Sequence, residues 1–122
     1  MHGVPQDLDL SRFQNAELIQ VCIGEYQIQF HFHGGDQISV EGKWELRDPA
    51  GSLIDVVERA TLPYSHLGPL HFHVLLGNSV SNYSVNSPQS FSLRFTSGHI
   101  LRVYDDSQQY ESFSIHPGNI FV

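Results

Sequence analysis

Residues 91–115, FSLRFTSGHILRVYDDSQQYESFSI, constrain this chain more than any other stretch. Phe91, Leu93 and Phe95 alternate with Ser92, Arg94 and Thr96, the period of a strand with one buried and one wet face. A helix would put residues two apart on nearly opposite sides and scatter that face. An echo stands upstream in residues 26–46, where Tyr26, Ile28, Phe30 and Phe32 alternate with Gln27, Gln29, His31 and His33. Each run then meets a glycine turn (Gly34–Gly35, Gly98) and a second apolar pair (Ile38/Val40, Leu101/Val103). Each ends on an aromatic–Glu dipeptide, Trp44–Glu45 or Tyr110–Glu111.

The rest of the chain supplies more strands and tight turns. Residues 1–12 carry Gly3, Pro5, Asp7 and Asp9 and read as a loose or edge-bound tail. Arg12 to Ala16 suits a short turn or one helical turn, and ELIQVCI at 17–23 suits a strand joined to the next by Gly24–Glu25. Asp48-Pro49-Ala50-Gly51 is a turn by composition. LIDVVERA at 53–60 fits a strand better than a helical turn because of Ile54, Val56 and Val57. Pro69 before and Gly77 after LHFHVLL favour one short helix near 67–76, although Leu70, Phe72, Val74 and Leu76 also alternate as a strand would. From Val80 the first block returns, with residues 80–85 standing where residues 18–23 stood, and residues 120–122 suit a last edge strand. The expectation is one mainly β domain over residues 1–122, an antiparallel sheet of about nine strands bent into a sandwich or open barrel. Residues 17–47 and 80–115 would be two similar β-meander halves.

Composition narrows the function classes. At 122 residues with 40% hydrophobic and 16% charged residues, the chain can build one core and not two. Its net charge is −7, with Lys43 and five arginines as the cations. Nucleic-acid affinity comes from clustered cations that release counterions, so no nucleic-acid partner is expected. An acidic surface suits a basic protein partner. No apolar run is long enough for a membrane span, and MHGVPQDLDL lacks the segments of a signal peptide, so a cytoplasmic protein is expected. Cys22 is the only cysteine, which rules out an internal disulfide, and within VCI it reads as a small buried hydrophobe.

Candidate chemistry is sparse. His-Phe-His occurs at 31–33 and again at 71–73. On a strand, residues two apart point the same way, so His31 and His33 can reach one metal ion, with Asp36 just beyond the turn. That arrangement is similar to the paired-His strand of cupin-type metal enzymes, but those also need a Glu a few residues on and a later His. The competing reading places His31 and His33 on the wet face with Gln27 and Gln29, while Phe30 and Phe32 hold the core. No serine sits in a nucleophile elbow, no glycine loop suits a phosphate, and Asp105–Asp106 read as solvated turn residues. Neither a catalytic residue nor a cofactor is implied. Trp44 and Tyr110 suit a core edge or a recognition surface, with Glu45 and Glu111 on the opposite sheet face.

LLGNSV followed by SFSLRFTSGHILRVYDDSQQYESFSI resembles the C-terminal core of small bacterial proteins grouped as a family of unknown function. VCIGEYQIQF to KWELRD fits the same type, so the likeness covers most of residues 18–115. Some proteins of this kind are similar to toxin-immunity proteins or to cargo of mobile gene cassettes. The resemblance implies a non-enzymatic binding or accessory role with an unidentified protein partner, and it supplies no site residues. The alternative is a small cupin-like barrel with a metal or ligand at His31, His33 and Asp36. Exposed strand edges favour a homodimer. For an interaction surface the sequence offers the polar face bearing Arg94, Arg102 and Tyr104, matched upstream by Gln27 and Gln29.

Overall fold

The computed structural model describes residues 4, 6–58, 63–64, 69–105, 113–116 and 120–121. In chain order the strands are β1 (Leu18–Ile23), β2 (Ile28–Phe32), β3 (Gln37–Val40), β4 (Trp44–Arg47) and β5 (Leu53–Val57). The second set is β6 (Val80–Asn86), β7 (Ser90–Phe95), β8 (Ile100–Tyr104), β9 (Phe113–His116) and β10 (Ile120–Phe121). They form two antiparallel sheets, ordered β1-β2-β3-β9-β10 and β5-β4-β8-β7-β6, and among the described residues they close no barrel. The fold is therefore the mainly β, antiparallel one that the alternation predicts. The helix expected near 67–76 is instead a 3-10 turn, Phe72–Leu75, with no side-chain cap; Leu76 is already extended. Of that expected helix, residues 67–68 lie outside the described residues. A second 3-10 turn, Ser11–Phe13, precedes β1.

Inward residues from both sheets share one core. Phe30 on β2 meets Trp44 on β4 edge-to-face with ring centroids 5.9 Å apart. Phe91 on β7 meets Phe113 on β9 at 4.8 Å, so aromatic contacts join the two layers. Val4, Leu8 and Leu10 are also in this core. The Val4 N–H donates to the Pro88 carbonyl at 2.8 Å, which binds that part of the N-terminal stretch to the β6–β7 turn.

The topology is a duplication with exchange. Read from β6, the second sheet runs β6-β7-β8-β4-β5, the order of the first sheet with β1–β5 and β6–β10 interchanged. Each half contributes a three-stranded meander to one sheet and sends its last two strands into the other. Registers make the match residue by residue. Ile38 pairs with Ile115 and Leu101 pairs with Leu46, so Ile38 corresponds to Leu101 and Leu46 to Ile115. Val40 pairs with Phe113 and Val103 with Trp44, so the counterpart of Trp44 in the second half is Phe113. The Tyr110–Glu111 pair that the sequence sets beside Trp44–Glu45 lies outside the described residues.

Where the halves meet, the hydrogen bonds are reciprocal. The Leu18 N–H donates to Asn78 O and the Val80 N–H to Ala16 O, both at 2.9 Å. The Asn15 N–H donates to Val80 O at 2.8 Å and the Gly77 N–H to Leu18 O at 2.9 Å. These two turns need a left-handed residue, and Asn15 (φ 66°) and Gly77 (φ 81°) supply it, as asparagine and glycine do at least cost. A register shift follows in both halves, between Leu18 and Gln20 and between Val80 and Asn82. Such a bulge flips the side-chain phase, so Leu18 points inward while Gln20 and Cys22 point outward. Cys22 is consequently half-buried on the outer face, opposite Gln29, rather than in the core.

Candidate functional site

The duplication gives the sandwich two corresponding outer faces with different chemistry. On the first sheet, Gln20, His31, Gln37 and His116 form one cross-strand row, and Cys22, Gln29, Ser39 and Ser114 form the next. On the second sheet the same positions hold Asn82, Arg94, Ile100 and Arg47, then Ser84, Ser92, Arg102 and Glu45. The first face is neutral and internally bonded: His31 Nε2 lies 3.1 Å from Gln29 Oε1. Gln37 donates to Ser39 Oγ at 2.9 Å, and Ser114 Oγ lies 2.9 Å from His116 Nε2. The second face is cationic. Arg47, Arg94 and Arg102 stand on it. Lys43 borders it, with its ammonium 4.8 Å from the Tyr104 ring centroid and 3.5 Å from the exposed Glu58 carboxylate.

Glu45 organises this face. It lies on β4 beside Arg102 on β8, and only 4% of it is exposed. Its carboxylate accepts from the Tyr104 hydroxyl at 2.5 Å and from Arg47 Nε. Burial alone pushes its pKa up. The bonds from Tyr104 and Arg47, with the charges of Arg47 and Arg102, outweigh that and leave it below the ordinary carboxylate range. Arg47 is held further by its Nη1 donating to Gly51 O at 2.9 Å. One nearly buried anion thus fixes a tyrosine and an arginine on the surface of the strands. Arg102 Nε donates to Ser92 Oγ at 3.2 Å. The Arg94 guanidinium has no hydrogen-bond or ion-pair partner among the described residues. Between Arg94 and Arg102 lies a shallow depression of about 210 Å³, lined also by Asn82, Ser84, Ser92 and Ile100.

The structure brings Arg94, Arg102 and Tyr104 together on one face, while Gln29 belongs to the other sheet and Gln27 lies just before β2. His31 points outward and His33 follows β2 in the turn. Asp36 faces Arg12, with its Oδ1 3.9 Å from Arg12 Nη1. Among the described residues no group of three or more His, Cys, Asp or Glu is placed to hold a metal ion. The second His-Phe-His is not a strand. His71 precedes the 3-10 turn and His73 lies within it.

His71 belongs to a pair that sequence reasoning missed. The Asp55 carboxylate, its side chain 2% exposed, accepts from the His71 backbone N–H at 2.5 Å and from the imidazole Nδ1 at 2.9 Å. Because a carboxylate only accepts, the proton belongs on Nδ1 and Nε2 is left outward. Asp55 stands opposite Leu46 on the inward side of β5, and its counterpart in the second half is Ile120, opposite Ile115. The signal was present in LIDVV, where Asp55 takes an inward position of an alternating strand. The pair ties the lead into the 3-10 turn onto β5.

No family model, curated protein or solved structure matches this chain.

Proposed function

We propose that the protein is a non-enzymatic binding module that docks a protein partner on the outer face of its second sheet, in a toxin-neutralising or accessory role. The observation that supports this is charge segregation. A chain of net charge −7 gathers Lys43, Arg47, Arg94 and Arg102 on or beside one sheet face. Among the described residues only Arg12 stands elsewhere as a lysine or arginine, and it faces Asp36. Strands carry the three arginines, so little backbone ordering cost remains for binding, and complementary charge speeds encounter and excludes wrong partners. Self-association is part of the same reading, because β1 is an edge strand that exposes Ile19 and Ile23, each 52% accessible. Light scattering should then give twice the chain mass at micromolar concentration, and a monomer there rejects the dimer.

A photo-crosslinking residue placed at Ser84, and separately at Gln20 on the neutral face, tests the docking surface in cells that produce the protein. A discrete protein adduct from position 84 and none from position 20 supports the reading. Equal labelling from both positions, or no adduct from position 84, rejects it.

A further inference from the structure

We infer that the depression between Arg94 and Arg102 is a receptor for one carboxylate, carried on an acidic segment of a protein partner. The inference rests on the docking reading above and names the chemistry that the surface selects. Ser92 faces Arg102 directly and Arg94 faces Ile100, which makes the two arginines diagonal neighbours on one face. Their Cβ atoms are then about 7 Å apart, within reach of a shared ligand for side chains of that length.

Two guanidinium groups side by side repel unless an anion lies between them. Among the described residues, the carboxylate that the strands place beside Arg102 is Glu45, on its far side, and it is already engaged by Tyr104 and Arg47. Among the described residues Arg94 is left with open donors, and Arg102 has only its Nε committed, to Ser92. Two forks therefore converge on a space that Asn82 and Ser84 border with further polar groups. An oxyanion satisfies both forks at once.

Size and lining select its carrier. About 210 Å³ of open depression is less than the roughly 300 Å³ at which pockets begin to enclose a whole drug-sized ligand. It suits the end of a side chain presented from a larger surface. Ile100, half-buried at its floor, offers apolar contact to the methylenes of a glutamate. The corresponding spot on the first sheet has His31, Gln37 and Ser39 where this one has Arg94, Ile100 and Arg102. The neutral face therefore serves as an internal control.

The test is a nuclear magnetic resonance titration of the intact protein with blocked hexaglutamate at low salt, following arginine Nε–Hε and backbone amide signals. Saturable shifts are expected at Arg94, Arg102, Ser84 and Ser92, with hexalysine producing none. Arg94→Gln and Arg102→Gln should each weaken binding roughly five- to tenfold, and raising the salt should weaken it further. Gln29→Ala should leave it unchanged. Arg94 is exposed, so its variant retains the fold, and an unaltered amide spectrum away from the site verifies that. Non-saturable shifts, shifts of equal size at Arg12, or full affinity in Arg94→Gln overturn the inference. Hexaglutamate seated here without any Ser84 crosslink would reject the protein-docking reading and leave the carboxylate receptor standing. A Ser84 adduct without a hexaglutamate response would do the reverse.

Discussion

Replacing His71 by alanine should destabilise the protein by about 2 kcal/mol, a figure set by the two bonds that Asp55 accepts. The substitution removes the imidazole Nδ1 donor at 2.9 Å and retains the backbone N–H donor at 2.5 Å. A hydrogen bond to a charged group contributes about 1.5–3 kcal/mol, and stripping a buried charge of its partner reaches about 3–5 kcal/mol. His71 is 52% exposed, so water enters the vacated space and keeps the cost near the lower range. For a chain of this size the effect is a fall of roughly 8 °C in Tm, read by urea and thermal unfolding with Trp44 fluorescence. Asp55→Leu combined with His71→Ala should cost less than the two single changes added together. The buried charge is then gone, and the corresponding position in the other half is already apolar, at Ile120. Stability of His71→Ala within about 0.5 kcal/mol of the parent would refute the reasoning, because the pair would then be an incidental surface contact.

The Glu45 carboxyl has a lowered folded pKa, so the folded state binds fewer protons than the unfolded chain at acid pH. Its stabilisation is present above the unfolded carboxylate range and is lost as pH falls through the folded value; Glu45→Gln should flatten that acid limb in a stability–pH series. The Tyr64 hydroxyl accepts from Trp44 Nε1 at 2.8 Å, and burial raises its pKa to about 12 against the lowering effect of that bond. Here the folded state keeps the proton, so stability should decline between about pH 10 and pH 12, and Tyr64→Phe should remove that decline while costing about 1–3 kcal/mol through the orphaned indole N–H. Gly35→Ala and Gly98→Ala both place a side chain at positive φ, 97° and 92°, but a Cβ at Gly98 would also meet Pro49 Cβ at 2.9 Å while Gly35 faces open space. Chemical denaturation should therefore rank Gly98→Ala as the more damaging, and equal costs would count against the Pro49 contact.

Much of this architecture is legible in the sequence because alternation and turn chemistry are local. Tyr26 precedes β2 and is 48% exposed, but from Ile28 onward the inward set is buried as the period-2 pattern requires: Phe30, Phe32, Ile38 and Val40, then Phe91, Leu93, Phe95, Leu101 and Val103. The echo between Gly34–Gly35 and Gly98 marks the same tight turn, closed by Phe32 N–H to Asp36 O and by Phe95 N–H to His99 O. What stays hidden is non-local. The exchange of β4–β5 and β9–β10 between sheets is decided by long-range pairing, so sequence spacing aligns Trp44 with Tyr110 when its structural counterpart is Phe113. The bulge after Leu18 reverses the phase of β1 without a glycine or proline to announce it, which moves Cys22 from the expected core to the outer face. The Pro69 and Gly77 boundaries are genuine stops, but they enclose too few residues for more than a 3-10 turn. For the site, Arg94, Arg102 and Tyr104 are readable as one wet face. Glu45 as its anchor is not, because pairing it with Tyr104 requires β4 to lie beside β8.

The most direct measurement of the central claim is the affinity of the partner trapped through Ser84 for charge-reversed proteins. Arg94→Glu with Arg102→Glu should weaken binding at least roughly 100-fold, since two attractive contacts become repulsive. Gln29→Glu with His31→Glu on the corresponding neutral face should stay within about twofold of the parent. Comparable losses from both pairs, or none from the arginine pair in a protein that remains folded, would contradict the account.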